Sequence, residues 1–299
     1  MQIRTLDIKK DTNEYAKVKT LWHEVFGDDE TFIDDFYRLT NATCYVIEDE
    51  DRIRSCLSLY SAGTMAVCDA NEDITTKDVF VSYAILTAPD SRGKGYAGTL
   101  VTHVRDNILS RGGLSLICPA EPSLVDFYSQ LGYRPHFYSA NGYEDADDSI
   151  SVLAKSMTFE EYGRYRDRFL ADQPHISLNR NALEFAEYNS FGEKGLYLIN
   201  GGDAICALEG LENGELTVTE LIIDPMLLSR SSEIDLQIAA GIASQFGADT
   251  VRYRKPAERV FTVLNGNRLP EDTYIQGMIA GADDSSDSQY YPYYGFPMD

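Results

Sequence analysis

Apolar residues alternate with polar ones in several short stretches of the first 157 residues, and between these stretches they recur three and four positions apart. Alternation, or a dense apolar run, predicts strands at 3–8, 43–47, 53–60, 79–87, 114–118, 133–138 and 150–157. Helical spacing predicts helices at 15–25, 32–39, 95–110 and 122–130. This order of elements predicts a domain of the α/β (α+β) class.

The second half of the chain repeats part of this order, with a strand, a helical run and another strand after residue 220. Pro225 lies 136 positions after Pro89, and the Pro-Ala-Glu triplet at 256–258 lies 137 positions after the same triplet at 119–121. Near-constant spacing over a strand–helix–strand unit indicates a duplicated domain. Residues 228–232 stand opposite the glycines of the first half, so the second copy lacks a glycine-rich turn.

The composition is that of a packed and acidic globular protein. Hydrophobic residues make up 43% of the 299, which argues against disorder. The 26 Lys and Arg residues against 48 Asp and Glu residues leave a net charge of −22. Such a surface repels phosphate backbones and anionic lipid, so we expect neither nucleic acid nor membrane as a partner. The same charge either serves solubility alone or attracts a cationic substrate.

The chain lacks the usual sequence marks of export, anchoring and metal binding. It has no apolar run of about 18 residues, and residues 1–10 lack the apolar core of a signal peptide, so we expect a cytoplasmic protein. Its five cysteines include no C-x-x-C pair, and its four histidines are isolated. These residues fit neither a disulfide framework nor a zinc site, and we expect no metal.

The most specific chemical feature is the turn that opens the 95–110 helix. Its residues are Arg92, Gly93, Lys94, Gly95, Tyr96 and Ala97. Glycines let the backbone bring its N–H groups close to an anion, and the helix start adds the positive end of its dipole. Arg92 and Lys94 supply countercharge. The turn therefore predicts a site for a diphosphate, although a helix-opening turn without a ligand is the plainer alternative.

The spacing Gly93-x-Gly95-x-x-Gly98 also matches the dinucleotide fingerprint of nicotinamide- and flavin-dependent oxidoreductases. In that fold the first glycine directly follows the opening strand of a parallel sheet, and an acidic residue follows about 20 positions later. Here residues 88–91 intervene, antiparallel strands come first, and the next strand ends without the acid. We keep the oxidoreductase as the weakest alternative.

Read instead as Arg92-x-x-Gly95-x-Ala97 after a strand and Ala-Pro, the turn resembles the cofactor motif of the GNAT superfamily of acyl-CoA-dependent N-acyltransferases. Residues 119–135, with the run F-Y-S-Q-L-G-Y, are similar to the helix and segment that follow in that family. The resemblance covers roughly residues 1–157. The remainder is similar to the degenerate second half of two-lobed relatives such as the enhanced-intracellular-survival acetyltransferases, but leaves no room for their C-terminal sterol-carrier-like domain.

The resemblance implies the GNAT fold, a mixed and largely antiparallel twisted sheet flanked by helices, present here twice. We expect a catalytic domain at 1–157, a degenerate GNAT-like domain at 158–282 and a tail at 283–299. Five aromatic rings stand close together in the tail, at Tyr290, Tyr291, Tyr293, Tyr294 and Phe296. Such a concentration predicts that the tail docks on the body of the protein.

The resemblance further implies acetyl-CoA as co-substrate and direct transfer of its acetyl group to a primary amine. Ile85, Leu86 and Thr87, on a strand splayed from its neighbour, would hydrogen-bond the pantetheine arm. The backbone amides of residues 92–97 would hold the pyrophosphate. A CoA-binding sensor or scaffold without turnover is the alternative from another class.

Two candidate catalytic residues follow from the same resemblance. Tyr128 matches the family tyrosine that protonates the CoA thiolate, and a phenol with a pKa of about 10 needs only a modest shift to serve a thiol of about 8.5. Its alternative role is packing beside Phe127. In two-lobed relatives the C-terminal carboxylate reaches the active site, so Asp299 is the candidate base, and Glu121 comes next.

The acceptor is the least defined partner. We expect a small-molecule or peptide amine, cationic in keeping with the charge, near the first two helices. Acidic and aromatic residues suited to such an amine stand there, namely Phe26, Asp28, Asp29 and Phe32. Two-lobed relatives often assemble, so the resemblance also implies a homo-oligomer.

Overall fold

The computed structural model describes residues 1–68, 74–190, 195–231, 233–257, 272–282 and 291–295. The helices within these residues are α1 (Thr12–Phe26), α2 (Glu30–Thr40), α3 (Tyr96–Ser110), α4 (Ser123–Gln130), α5 (Phe159–Phe169), α6 (Arg180–Asn189), α7 (Pro225–Leu228) and α8 (Ile234–Gln245). None of these helices is long and apolar enough to cross a membrane.

The strands within the same ranges are β1 (Gln2–Leu6), β2 (Thr43–Asp49), β3 (Arg52–Cys68), β4 (Ile74–Thr87), β5 (Leu114–Ile117), β6 (Arg134–Asp145), β7 (Ala154–Ser156), β8 (Ile176–Leu178), β9 (Leu196–Ile199), β10 (Ala204–Glu212), β11 (Glu215–Ile223), β12 (Thr250–Pro256) and β13 (Thr273–Ala280).

Contacts divide the chain into two compact units, residues 1–135 with 277–283 and residues 136–276 with 284–299. These boundaries differ from the ones at 157 and 282 given above, because strand pairing decides them. β6 pairs with β12 from Ser139 onward and so belongs to the second unit almost from its start. The last residues of β13 pair with β5 in the first unit.

The first unit is built on a mixed sheet in the order β1-β2-β3-β4-β5. All neighbours are antiparallel except β4 and β5, which run parallel. α1 and α3 pack on this sheet through the apolar faces that helical spacing predicts. The buried residues of these faces are Val18, Leu21 and Trp22 in α1 and Leu100, Val101, Val104 and Ile108 in α3. The largely antiparallel sheet flanked by helices is thus confirmed.

In the second unit the strands follow the order β6-β12-β11-β10-β9-β7, and of these pairs β11 with β12 is parallel and the others are antiparallel. One core cluster lies between these strands and α8, and a second cluster joins them to α5 and α6. Both faces of β10 are therefore covered. This explains why residues 204–208 are a continuous buried apolar run instead of an alternating one.

The strand predicted at 150–157 is wrong over its first half, since only Ala154–Ser156 is a strand. Residues 147–150 form a turn, closed by the bond from the Ile150 N–H to the Asp147 carbonyl. The apolar side chains of Ile150 and Val152 pack closely against Gly241 of α8 instead. These two apolar residues alternate with polar ones because they pack on a helix. In the sequence, such alternation looks the same as that of a strand.

Candidate active site

β4 and β5 separate from each other part of the way along β4. They pair in parallel over four residues only, from Val79 with Leu114 to Ser82 with Ile117. β5 ends there, whereas β4 continues to Thr87. The splay predicted from the resemblance is therefore present, and it falls at the strand that carries Ile85, Leu86 and Thr87.

The splayed part of β4 begins with a bulge. Ser58 pairs with Tyr83 and Cys56 with Leu86, so Ala84 and Ile85 together face the one intervening residue of β3. Ala84 has a φ of 47°, a left-handed conformation that L-residues adopt only at a cost of order 1–3 kcal/mol. Strain of this kind concentrates at ligand sites. The sequence carries no signal for the bulge, because an alanine stands where a glycine would have indicated a positive φ.

The other edge of this segment is held by β3. The Ser55 hydroxyl donates to the Leu86 carbonyl at 2.7 Å and lies 3.1 Å from the Thr87 hydroxyl. The Ala88 N–H donates to the Arg54 carbonyl at 2.9 Å. β3 thus fixes one side of residues 86–88, while the β5 ladder has already ended on the other.

The glycine-rich turn follows directly. A short 3₁₀ turn at Pro89–Ser91 leads to Gly93 and Gly95, with φ values of 74° and 81°. A Cβ at either glycine would meet nothing within 4 Å, so these positions need glycine for conformation while facing open space. Gly95 is the N-cap of α3 and provides no side-chain cap, which leaves the first N–H groups of the helix for another acceptor.

The β2–β3 hairpin braces this turn. Asp90 forms ion pairs with Arg52 at 3.1 Å and with Arg54 at 3.9 Å. The hydrogen bond from Ser91, followed by the charges of the two arginines, lowers the pKa of Asp90. The Tyr96 hydroxyl donates to Asp49 at 2.8 Å. Tyr96 therefore offers a ligand its backbone amide, because its hydroxyl is already engaged.

The two cationic side chains of the turn fold back onto its backbone. Lys94 Nζ donates to the Asp90 carbonyl at 3.1 Å, and Arg92 Nε donates to the Thr87 carbonyl at 3.4 Å. Both residues are exposed. They add positive charge beside the uncapped helix start, where it favours an anion. The residues of the splay and of the turn together fit the pantetheine arm and diphosphate of coenzyme A.

Gly98 has a different role from the two glycines of the turn. A Cβ there would lie 3.6 Å from Leu131 Cδ2 and 3.9 Å from Phe127, which is ordinary packing contact. β4 also lies between an antiparallel and a parallel neighbour, unlike the opening strand of a dinucleotide-binding sheet. The fold therefore speaks against the oxidoreductase alternative.

We expect alanine at Gly95 to weaken coenzyme A binding and alanine at Gly98 to stabilise the fold. Gly95→Ala strains a residue at φ 81° and should weaken coenzyme A binding by about tenfold, or about 1.4 kcal/mol. Gly98→Ala should raise the free energy of unfolding by about 0.5–1 kcal/mol and leave coenzyme A binding unchanged, because alanine suits a helix better. Calorimetric titration and denaturant unfolding measure the two effects. Equal binding by both variants would contradict the assignment of the turn.

Tyr128 lies on α4 and is 6% exposed. Its ring lies 6.4 Å from that of Tyr133, whose hydroxyl is bound to Ser115 at 2.7 Å. Burial, followed by the neighbouring Tyr133 and Cys118, raises the pKa of Tyr128 to about 12. The phenol is thus held protonated as a donor, but its pKa moves away from that of a thiol.

The acidic residues near the first two helices have structural partners. Asp28 accepts a hydrogen bond from the Trp22 indole at 2.7 Å, and Asp29 caps α2 by accepting from the Phe32 N–H at 2.8 Å. Phe26 is 48% exposed. The two carboxylates therefore have structural roles, one at the start of α2 and one beside Trp22.

Of the two candidate bases, Glu121 lies within the described residues and Asp299 does not. Glu121 is exposed and accepts a hydrogen bond from the Ser123 hydroxyl at 3.2 Å, beside the start of α4. Asp299 lies outside the described residues, as do Tyr290, Phe296 and Glu258. Among the residues that are described, no three His, Cys, Asp or Glu side chains form a group that could hold a metal ion.

The first unit matches a known family. Residues 8–136 match the model of the acetyltransferase (GNAT) domain. This part of the chain is therefore a GNAT acetyltransferase domain, as the resemblance of the two motifs implies. No curated protein sequence matches the chain.

Solved structures share the fold over nearly the whole chain. The GCN5-related N-acetyltransferase from Kribbella flavida has 15% identity and a TM-score of 0.63, over 93% of this chain and 70% of that one. Eis1 from Mycobacterium abscessus has 12% identity and a TM-score of 0.60, over 94% and 73%. A tandem GNAT protein from the clavulanic acid biosynthesis pathway has 12% identity and a TM-score of 0.50, over 95% and 99%. The two-lobed GNAT fold is thereby confirmed.

Proposed function

We propose that this protein is an acetyl-CoA-dependent N-acetyltransferase that moves an acetyl group to a primary amine by direct attack. The observation that carries the proposal is the adjacency of three features in the GNAT domain: the splayed end of β4, the bulge at Ala84 and the uncapped start of α3. A thioester supplies the activated acetyl group when the co-substrate is bound. The residues below bind it, polarise it and move protons.

Backbone groups of the first unit would hold the co-substrate. Ile85, Leu86 and Thr87 would bind the pantetheine arm along the edge of β4 that β5 has left. An N–H in this segment would face the thioester oxygen and stabilise the charge that develops there. The amides and charged side chains of residues 92–97 would bind the diphosphate.

Tyr128 would donate a proton to the departing thiolate. Its buried side chain and raised pKa, which keeps the phenol protonated, support this role. With a pKa of about 12, complete transfer to a free thiolate of pKa about 8.5 is uphill, so the hydrogen bond to the developing thiolate is the main contribution we assign to it. The same upward pKa is the observation that favours the second candidate function, a CoA-binding sensor without turnover.

The amine proton must also be accepted, since a protonated amine cannot attack. We propose the side-chain carboxylate of Asp299 for this step, with Glu121 as the second candidate. The acceptor we propose is a small-molecule or peptide amine, cationic in keeping with the net charge of −22. A cytoplasmic location, the absence of nucleic-acid and membrane partners, and assembly into homo-oligomers belong to the same proposal.

Deleting Met298 and Asp299 should lower kcat/KM by about tenfold at pH 7 and by much less near pH 10. A base is needed only while the amine is protonated, so the loss should shrink as rising pH frees the amine in solution. Asp299→Asn removes only the side-chain carboxylate and should reproduce the effect of the deletion if that group is the base. A deletion variant with the wild-type pH profile would exclude the tail from the step.

The test of the function is release of the CoA thiol from acetyl-CoA with a panel of polyamines, aminoglycosides and lysine peptides. Amine-dependent release is expected for a transferase. Binding of coenzyme A with no release from any of these amines would favour the sensor. Binding of NAD or FAD in place of coenzyme A would contradict both.

A further inference from the structure

The second unit repeats the splay of the first with the same spacing. β11 and β12 pair in parallel from Glu215 with Thr250 to Val218 with Tyr253, and β11 then continues to Ile223. Each paired position lies 136 residues after its counterpart in the first unit, from 79 to 215 and from 114 to 250. Position 220 of this second groove corresponds to Ala84 of the first.

A buried carboxylate occupies that position. Glu220 is fully buried and accepts a hydrogen bond from the Tyr162 hydroxyl at 2.8 Å. The Arg166 guanidinium, also fully buried, donates to it at 3.2 Å. Arg166 donates as well to the carbonyls of Ile176 and Tyr294. The guanidinium is therefore held by the Glu220 carboxylate, by β8 and by the segment at 291–295.

Residues 291–295 lie between the end of β11 and the end of β12. On one side a Cβ at Gly295 would clash with Glu220 Oε1 of β11. On the other side the Tyr291 N–H donates at 3.2 Å to the carbonyl of Ala257, which follows β12. The segment thus contacts both sides of the second groove, at the place that corresponds to the splay of β4 and β5 in the first unit.

The segment is bound as an extended peptide through its main chain. The Tyr293 N–H donates to the Pro174 carbonyl at 2.8 Å, and the Ile176 N–H donates back to the Tyr293 carbonyl at 3.3 Å. Other bonds reach the remaining carbonyls, from the Tyr138 N–H to Pro292 at 3.0 Å and from the Gln173 side chain to Tyr291 at 2.9 Å. Gln276 accepts from the Gly295 N–H and donates to its carbonyl. Main-chain bonds with side-chain pockets are a usual mode of peptide recognition.

The second unit also lacks the other half of a cofactor site. Where the first unit has its glycine-rich turn, the second has the single turn of α7 and then Ser229, Arg230 and Ser231. No glycine with positive φ is available there to bring main-chain amides onto a diphosphate.

We infer that the groove between β11 and the end of β12 is a peptide site, filled by the chain's own residues 291–295, and that the chain consequently has one acyl-CoA site. Only the count of acyl-CoA sites rests on the proposed function. The recognised ligand is the segment Tyr-Pro-Tyr-Tyr-Gly, with the glycine required where the chain passes the Glu220 carboxylate.

The test compares two glycines of the second unit in the full-length chain. Gly295 (φ 65°) is closed in by Glu220, whereas a Cβ placed on Gly247 (φ 70°) would meet nothing within 4 Å. Both alanine variants therefore share the backbone strain, and only Gly295→Ala adds the clash. Hydrogen exchange at the amides of Tyr293, Ile176 and Tyr138 is expected to be slow in the wild type and in Gly247→Ala, and at least tenfold faster in Gly295→Ala. Equal protection in the two variants would overturn the inference.

Three further measurements test the inference if Gly295→Ala folds poorly. Gln276→Met removes both bonds to Gly295 and should raise the same exchange rates more mildly. The peptide YPYYG is then added to a variant in which residues 291–295 have left the groove. It should restore slow exchange at Ile176 and Tyr138, and the peptide YPYYA should not. Titration of the wild type with coenzyme A should give one site per chain, and two sites would contradict the filled groove. No binding at all would contradict the proposed function but would not affect the interpretation of the exchange rates.

Discussion

Replacing Tyr128 by phenylalanine should lower kcat by about 100- to 1000-fold and leave the affinity for coenzyme A almost unchanged. A general acid contributes about 10²–10⁴ to the rate, and the weak acidity of this buried phenol places the effect at the lower end. The ring itself stays, so packing against Phe127 and Tyr133 is preserved. Steady-state kinetics and a coenzyme A titration separate the two quantities.

Tyr133→Phe is the matched control for this prediction. Tyr133 is another buried tyrosine of the same unit, but its hydroxyl is engaged by Ser115. Its loss should cost about 1 kcal/mol of stability and leave kcat within about twofold. In the wild type the limb of kcat/KM that belongs to Tyr128 should fall near pH 12, since the pKa of its hydroxyl is raised to about 12 and the acid must be protonated. Similar kcat values for both phenylalanine variants would remove Tyr128 from the acid role.

Replacing Arg166 by methionine should lower the free energy of unfolding by about 3–5 kcal/mol. Both Arg166 and Glu220 are fully buried, and removing the guanidinium leaves the carboxylate without its counter-charge. The substitution also removes a donor from the carbonyls of Ile176 and Tyr294. Denaturant unfolding of the full chain measures the loss.

The double variant Arg166→Met/Glu220→Gln tests the cause of that loss. Glutamine is neutral and still offers Tyr162 an acceptor, so the double variant should be more stable than the single one by at least about 1 kcal/mol. Arg168→Met, on the same helix but with a side chain 59% exposed, should change stability little. Equal losses in the single and double variants would mean that the carboxyl charge is not what Arg166 compensates.

The parts of the fold that the sequence predicts are those with a strong local pattern. The helical spacing of apolar residues in α3 predicts its buried face, and the glycines at 93 and 95 indicate a sharp turn, which the structure shows as positive φ at both. The duplication is visible in the sequence as two proline positions 136 apart, and the same interval recurs in the strand register. The sequence signal there is weak, but the paired strands give it a geometric basis.

The features that the sequence does not predict depend on contacts distant along the chain. The bulge at Ala84 is set by the β3 register, and no residue type marks it. Glu220 and Arg166 lie 54 positions apart, and a lone charge in an apolar strand does not indicate its partner. The sequence alone does not indicate that Asp28 binds the Trp22 indole and that Asp29 caps α2.

The measurement that tests the account most directly is a calorimetric titration of the purified protein with coenzyme A. The account predicts saturable binding with heat, weakened about tenfold by Gly95→Ala and unaffected by Gly98→Ala, because the turn before α3 holds the diphosphate. Absence of heat together with an unchanged Tm at saturating coenzyme A would contradict it.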